Sequence, residues 1–306
     1  MRLLFVIPHY FRAADSDQPT SSLQGRHGST SGSAEPKIRA LRRTVFALHQ
    51  TFGQSQAMIR HVDRRTVPAN ESMRSEIHIV LVTTGPFHLA DQARLPKDLV
   101  YQFSVDDDPT KLGFYAHRVL RDRWGNYDYY CYLEDDLALE DPWFFEKLRW
   151  FNAHVGDDKV LLPNRFERSE EHAYKKCYLD GDLAQRATAP FQDVTQAQEL
   201  QSTIMGRPVR FVRPLNPHSG CFFLNPRQMQ RWIEQPYFES FDTIFIGPLV
   251  SAATLGIKTT FQIYKPASEN ASFLEIEHSD RRYIHLIRMS SPEAPSKNTE
   301  PEVEEY

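Results

Sequence analysis

Apolar residues first gather between Leu3 and Ile7, and Pro8 closes the run, so Arg2 to His9 reads as a buried strand. Ile38, Leu41, Val45, Leu48 and Phe52 then recur at helical spacing with Gly53 behind them, which predicts an amphipathic helix with a stop. Ile77 to Thr83 is largely β-branched and ends at Gly85-Pro86, a second strand, and Val100 to Val105 is a shorter third. Tyr129 to Leu133 is apolar throughout, the mark of a central strand covered on both faces, and Lys159 to Pro163 is a further strand. Three later helices share one start signal, a capping side chain before proline: Asp108-Pro109, Asp141-Pro142 and Asn225-Pro226. Their expected core contacts are Leu112, Tyr115, Ala116 and Val119; Phe144, Leu148 and Phe151; and Met229, Trp232 and Ile233.

Strand, helix, strand, strand, helix, strand, helix is the order of a layered α/β domain. Two stretches break the pattern. Residues 13–34, rich in Ser, Gly, Asp and Thr, predict a long loop directly after the first strand, and 168–210 an irregular excursion suited to a lid or acceptor loop. From about Ser290 the chain is rich in Pro, Glu and Ser and is expected to be disordered. The organisation is therefore read as a single domain over 1–289, with a donor half at about 1–140 and an acceptor half at about 141–289, followed by the acidic tail 290–306.

Charge narrows the partners. Across 306 residues the net charge is −4, with no polybasic arm, which argues against nucleic acid. The apolar run at Leu3 is too short to span a bilayer, so a cytoplasmic protein is expected, with peripheral contact at the inner membrane face compatible with the sequence. Cys131, Cys177 and Cys221 are widely spaced and form no CxxC, so reduced thiols are expected.

The sharpest chemistry is Glu134-Asp135-Asp136, three carboxylates at the end of the buried strand. Along an extended backbone Glu134 and Asp136 face one side and Asp135 the other. Carboxylates at such a place are costly without compensation, and a bound cation removes the cost. Oxygen ligands suit Mn²⁺ or Mg²⁺, and the carboxyl ends of strands are where open α/β sheets collect ligands. Asp106-Asp107-Asp108 and Asp180-Gly181-Asp182 also match an acidic text pattern, but read as a helix cap and a turn.

The block Tyr132 to Leu137, followed by Asp141-Pro142-Trp143-Phe144-Phe145, resembles the metal motif and next helix of GT-A glycosyltransferases, most of all the N-acetylglucosaminyltransferase I family. The resemblance is specific around 111–148. It implies a Rossmann-like GT-A fold, with a mixed, mainly parallel central sheet flanked by helices. It also implies metal-dependent transfer of a hexose or N-acetylhexosamine from a nucleotide sugar, uridine-linked by expectation, to a hydroxyl of a glycan or other acceptor, as in surface polysaccharide or glycoconjugate synthesis. On this resemblance Asp136 is the metal ligand, with Glu134 and Asp135 on the metal, ribose or sugar. Pro8, Arg12 and Thr84 border the nucleotide, and Lys111, Gly113, His117 and Arg118 lie on a nucleotide-facing helix.

In the second half His218, Ser219 and Gly220 are expected to line the donor sugar. Asp242, and after it Glu239, fit the catalytic base that inverting members carry at the start of a late helix; the sequence is compatible with retention as well. His285, with His278 as the alternative, is a candidate further metal ligand, and Arg281 and Arg282 could pair with a diphosphate. Two other readings stand beside this one. A sugar-phosphate nucleotidyltransferase would use Gly25, Arg26, Gly28 and Gly32 as a phosphate loop, and a non-catalytic carbohydrate-binding protein could share the fold.

Overall fold

A computed structural model describes residues 1–13, 30–31, 33–184, 188–190, 194, 199–279 and 282–287. Most of the 13–34 loop, part of the 168–210 excursion, Arg281 and the 290–306 tail lie outside the described residues, together with Gly25, Arg26, Gly28 and Gly32.

The centre is a five-stranded sheet built from β1 (Arg2–Pro8), β2 (Glu76–Thr84), β3 (Tyr101–Val105), β4 (Tyr129–Leu133) and β5 (Cys221–Leu224), in spatial order β5-β4-β1-β2-β3. β1 pairs in parallel with β2 and β4, β2 in parallel with β3, and β5 runs antiparallel to β4. The architecture is therefore α/β with a mixed, mainly parallel central sheet, as expected. The middle strand is β1 rather than β4, because β5 adds outside β4. After β1 the chain builds β2 and β3 on one side and then returns to place β4 on the other. That reversal makes the carboxyl ends of β1 and β4 a topological switch point, the crevice in which open α/β sheets take ligands.

Alternation along β1 divides the core. Leu3, Phe5 and Ile7 pack with Leu41, Val45, Leu48 and Phe52 of α1 (Glu35–Phe52) and with Phe144, Phe145, Leu148 and Phe151 of α3 (Phe144–Val155). Leu4 and Val6 face the other layer, with α2 (Leu112–Asp122), α4 (Pro226–Ile233) and α5 (Pro248–Thr260). Each fully buried Leu, Ile or Phe contributes about 1.5–3 kcal/mol, so this two-sided burial fixes the strand register and with it the crevice.

The capping signals act with different reach. Asn225 makes a full capping box with Gln228. Asp108 caps a short 3₁₀ turn, Pro109–Lys111, that feeds into α2. Asp141 accepts from Trp143 N, and α3 begins only at Phe144. Tyr115 and Ile233 are half-buried rather than core. Tyr115 instead donates its hydroxyl to Asp107 over 2.5 Å.

The 168–210 stretch is more regular than expected. It holds the strand Lys176–Tyr178 and the hairpin Leu200–Ile204 with Arg207–Val212, turned at Met205-Gly206 with both φ values positive. A second hairpin, Ala57–Arg60 with Arg65–Pro68, stands exposed between α1 and β2. A short pairing decides the site: Glu275–His278 lies antiparallel to Leu137–Ala138, with His278 opposite Leu137. Among the described residues no helix is long and apolar enough to cross a membrane, and the three cysteines are free.

Candidate functional site

Glu134, Asp135 and Asp136 leave the end of β4 into the crevice, and all three are buried. The backbone does not stay extended here: residues 135–136 make a turn, with Leu137 N donating to Glu134 O, which corrects the expected strand alternation. Asp135 turns toward β1 and α1, where Lys37 Nζ donates to Oδ1 over 2.6 Å and His9 Nδ1 lies 2.5 Å from Oδ2. His9 in turn uses Nε2 to accept from Leu89 N at 3.0 Å, which makes Nδ1 the protonated nitrogen and donor to Asp135. Thr44 donates to the Asp135 carbonyl. Burial disfavours the Asp135 charge, but Lys37 and His9 outweigh it and hold the carboxyl down at about 2. Burial likewise works against the Lys37 ammonium, yet Asp135, with Asp136 and Glu134 behind it, raises it above its usual range. Asp135 is thus a structural anchor tying β4 to β1 and α1, and its charge is already matched.

Glu134 and Asp136 differ. Glu134 Oε1 and Asp136 Oδ1 are buried and take no hydrogen bond among the described residues. Burial first, then the neighbouring Asp136 charge, pushes the Glu134 carboxyl up to about 7. Two imidazoles stand near: His218 Nε2 is 4.0 Å from Glu134 Oε1, and His278 Nε2 is 3.7 Å from Asp136 Oδ2. Each is aimed by its other nitrogen, His218 Nδ1 at Thr254 Oγ1 over 2.9 Å and His278 Nδ1 at Glu167 Oε1 over 2.9 Å. Such partners fix ring orientation in metal sites. Gly220 closes the floor: it is held at φ +63°, its carbonyl accepts from Glu134 N, and a Cβ there would stand 2.7 Å from Glu134 Oε2. Any side chain at 220 would displace the carboxylate.

Two carboxylates and two imidazoles are a chemically suitable donor set for Mn²⁺, which accepts oxygen and nitrogen. The orphaned oxygens are the unmet demand such an ion answers. Among the described residues no three acidic, His or Cys side chains already converge as a finished ligand set.

The remaining expected residues fall into three places. Ser219 donates to Pro163 O and is wholly buried, a brace for the loop rather than a sugar contact. Pro8 and Thr84 sit at the carboxyl ends of β1 and β2, with Thr84 donating to Asp107 O, and exposed Arg12 lies over the Phe87 ring. Lys111 pairs with Asp107, and Arg118 lies over Tyr115 and Phe241. Gly113 does permit a close approach, but of α5: a Cβ there would meet Ala252 Cβ at 2.4 Å. His117 is turned into the core among Phe114, Trp232 and Phe222, with Nε2 on Ala252 O, and burial drives it down to about 4. Gly113 and His117 are therefore packing residues, which corrects the expectation that they face a nucleotide.

His285 is exposed in the 3₁₀ turn Ile284–Leu286, so the imidazole beside Asp136 is His278. Asp242 stands in the loop before α5, six residues short of Pro248, where it caps Ile244 N at the mouth of a cavity. It is not at a helix start. Glu239 pairs with Arg121 at the outer surface.

Sequence reasoning missed His9, Lys37 and a buried group behind the site. There Asp180 accepts from Arg165 Nε and Lys265 Nζ, both at 2.9 Å, and Lys265 also donates to His218 O. Asp180, read as a turn residue, in fact anchors the His218 loop.

No family model matches the sequence, and no curated protein matches it. Among solved structures, the chain is similar to a crystal structure of GalNAc-T7 with UDP, GalNAc and Mn²⁺, at 11% identity and a TM-score of 0.44 over 90% of this chain. The chain spans 43% of the length of that protein.

Proposed function

We propose that this protein is a glycosyltransferase that moves a sugar from a nucleotide donor, with a divalent cation held by Glu134, Asp136 and His278. The observation that carries the reading is the pair of buried, unpartnered oxygens, Glu134 Oε1 and Asp136 Oδ1, at the carboxyl end of β4 in the crevice beside β1. A cation there would offset the negative charge that develops on a departing nucleoside diphosphate, an effect worth several kcal/mol in such reactions.

The chain's own residues do the rest. Lys37 and His9 hold Asp135 aside from Glu134 and Asp136, whose charges act on each other. The β1 end at Pro8 and the β2 end at Thr84 border the space for the nucleoside, with Arg12 at its rim. The acceptor proton is assigned to Asp242, since Glu239 is engaged with Arg121.

The reading is tested by incubating the protein with a panel of uridine and guanosine diphosphate sugars, a panel of methyl glycosides as hydroxyl acceptors and Mn²⁺, with acceptor-dependent nucleotide release as the readout. Release from at least one donor, abolished by a chelator, is expected. In Asp242→Asn donor binding should persist while release falls at least a hundredfold; full retained turnover would remove Asp242 from the mechanism. Pyrophosphate formed from a nucleoside triphosphate and a sugar phosphate would instead mark a nucleotidyltransferase.

A further inference from the structure

A second cavity, of about 330 Å³, opens between α2, α4, α5 and the loop that joins α4 to α5. We propose that it binds the ring of an uncharged sugar, which in the glycosyl-transfer reading is the acceptor; its role rests on that reading, its binding does not. The volume lies at the lower end of the range for small-molecule sites, about 300–1,000 Å³, enough for one ring and not for an extended nucleotide.

The wall chemistry selects the ligand. Phe114, Trp232, Tyr237, Phe238 and Leu255 supply an apolar, mostly aromatic lining, with Trp232 and Phe238 edge to face at 4.8 Å. Phe114, Trp232 and Phe238 form the buried floor, and the half-buried Tyr237 and Leu255 are the apolar groups open to the C–H side of a saturated ring. Polar groups stand at the margin: Asp242, Ser240 and Thr259 are placed for hydroxyls. No lysine or arginine contributes to the described lining, and burial keeps His117 uncharged. A phosphate or carboxylate would meet no cation here and would face the Asp242 charge.

One buried donor asks for a partner. Trp232 is 1% exposed, and its indole Nε1 has no hydrogen bond among the described residues. Gly256, which also lines the cavity, abuts it: a Cβ at 256 would stand 2.8 Å from Nε1. The absence of a side chain at 256 leaves room beside the indole N–H, between it and the cavity-lining face of α5. A ring or glycosidic oxygen would satisfy it.

The cavity is distinct from the acidic crevice. Thr254 of α5 holds His218 on one side of that helix, while Ser251, Leu255, Gly256 and Thr259 line the cavity on another. α5 therefore borders both the charged crevice and the neutral pocket, with Asp242 at the pocket's mouth.

The test uses saturation-transfer NMR on the full chain, without metal or nucleotide. The probes are methyl glycosides of glucose, galactose and N-acetylglucosamine, with glucuronic acid and glucose 6-phosphate as anionic controls. Transfer from at least one neutral glycoside and none from the anions is expected. The signal should fall at least fivefold in Thr259→Trp, a plug placed from an exposed position, and in Gly256→Ala. Absence of signal from every neutral probe, equal signal from the anions, or full signal in a folded Thr259→Trp would overturn the proposal. Because donor and metal are omitted, failure of the donor site leaves this result standing, and the reverse also holds.

Discussion

Replacing Lys37 by methionine tests the geometry that sets the acidic crevice. The ammonium lies 2.6 Å from Asp135, and the two side chains are only 11% and 7% exposed. Met keeps the aliphatic stem and removes the charge. Breaking a buried ion pair by deleting one partner costs about 3–5 kcal/mol, because the remaining charge is stranded. His9 still faces the other Asp135 oxygen, so the lower end, about 3 kcal/mol, applies. That corresponds to a fall in Tm of roughly 6–12 °C. Asp135→Asn in the same chain removes the stranded charge and should recover most of the loss, so a double-mutant cycle isolates the pair. Thermal melts in chelator, followed by near-ultraviolet circular dichroism, read all four proteins. A Lys37→Met protein melting within about 2 °C of the wild type, or a double variant less stable than Lys37→Met, would refute the claim that this pair anchors β4.

Glu134→Gln should behave in the opposite way. The carboxyl is raised to about 7 from 4.5 by burial, so the folded wild type binds its proton more tightly than the unfolded chain and loses stability as pH climbs through that window. In chelator the Gln variant should melt at or above the wild type, with an advantage that grows between about pH 5 and pH 8; a variant less stable at the upper pH would show that the carboxylate is compensated. The two late histidines separate by metal titration: His278→Ala is expected to weaken Mn²⁺ binding at least tenfold and His285→Ala to change it less than twofold, and the reverse order would move the site.

Much of the scaffold was legible because it is local. β1, α1 and β4 each carry their burial pattern in consecutive residues, and Asn225-Pro226 announces α4 through a cap that acts within one turn. The acidic triplet was legible for the same reason, since a buried strand running into three carboxylates needs compensation wherever it lies. What surrounds the triplet was not. Lys37 and His9 reach Asp135 from 98 and 126 residues away, and nothing in their own neighbourhoods marks them. His278 arrives through a two-residue strand pairing too short to leave a pattern, so His285, behind an apolar Tyr-Ile pair, looked the better choice. His117 was misplaced for a subtler reason. Its helix is buried on a broad face, and helical spacing alone could not show that α5 packs where a nucleotide was expected. Asp242 was expected at the start of a late helix, but the chain first runs through a loop, and α5 begins at Pro248 behind Gly247.

The central claim is that Glu134 and Asp136 are unpartnered because a cation and a diphosphate complete them. Calorimetric titration of UDP into the wild type and Asp136→Ala, each with Mn²⁺ and with chelator, addresses it directly. The account predicts UDP binding that requires Mn²⁺ in the wild type and weakens at least tenfold in Asp136→Ala, with the fold retained by circular dichroism. UDP binding of equal strength with and without metal, or unchanged in Asp136→Ala, would contradict it.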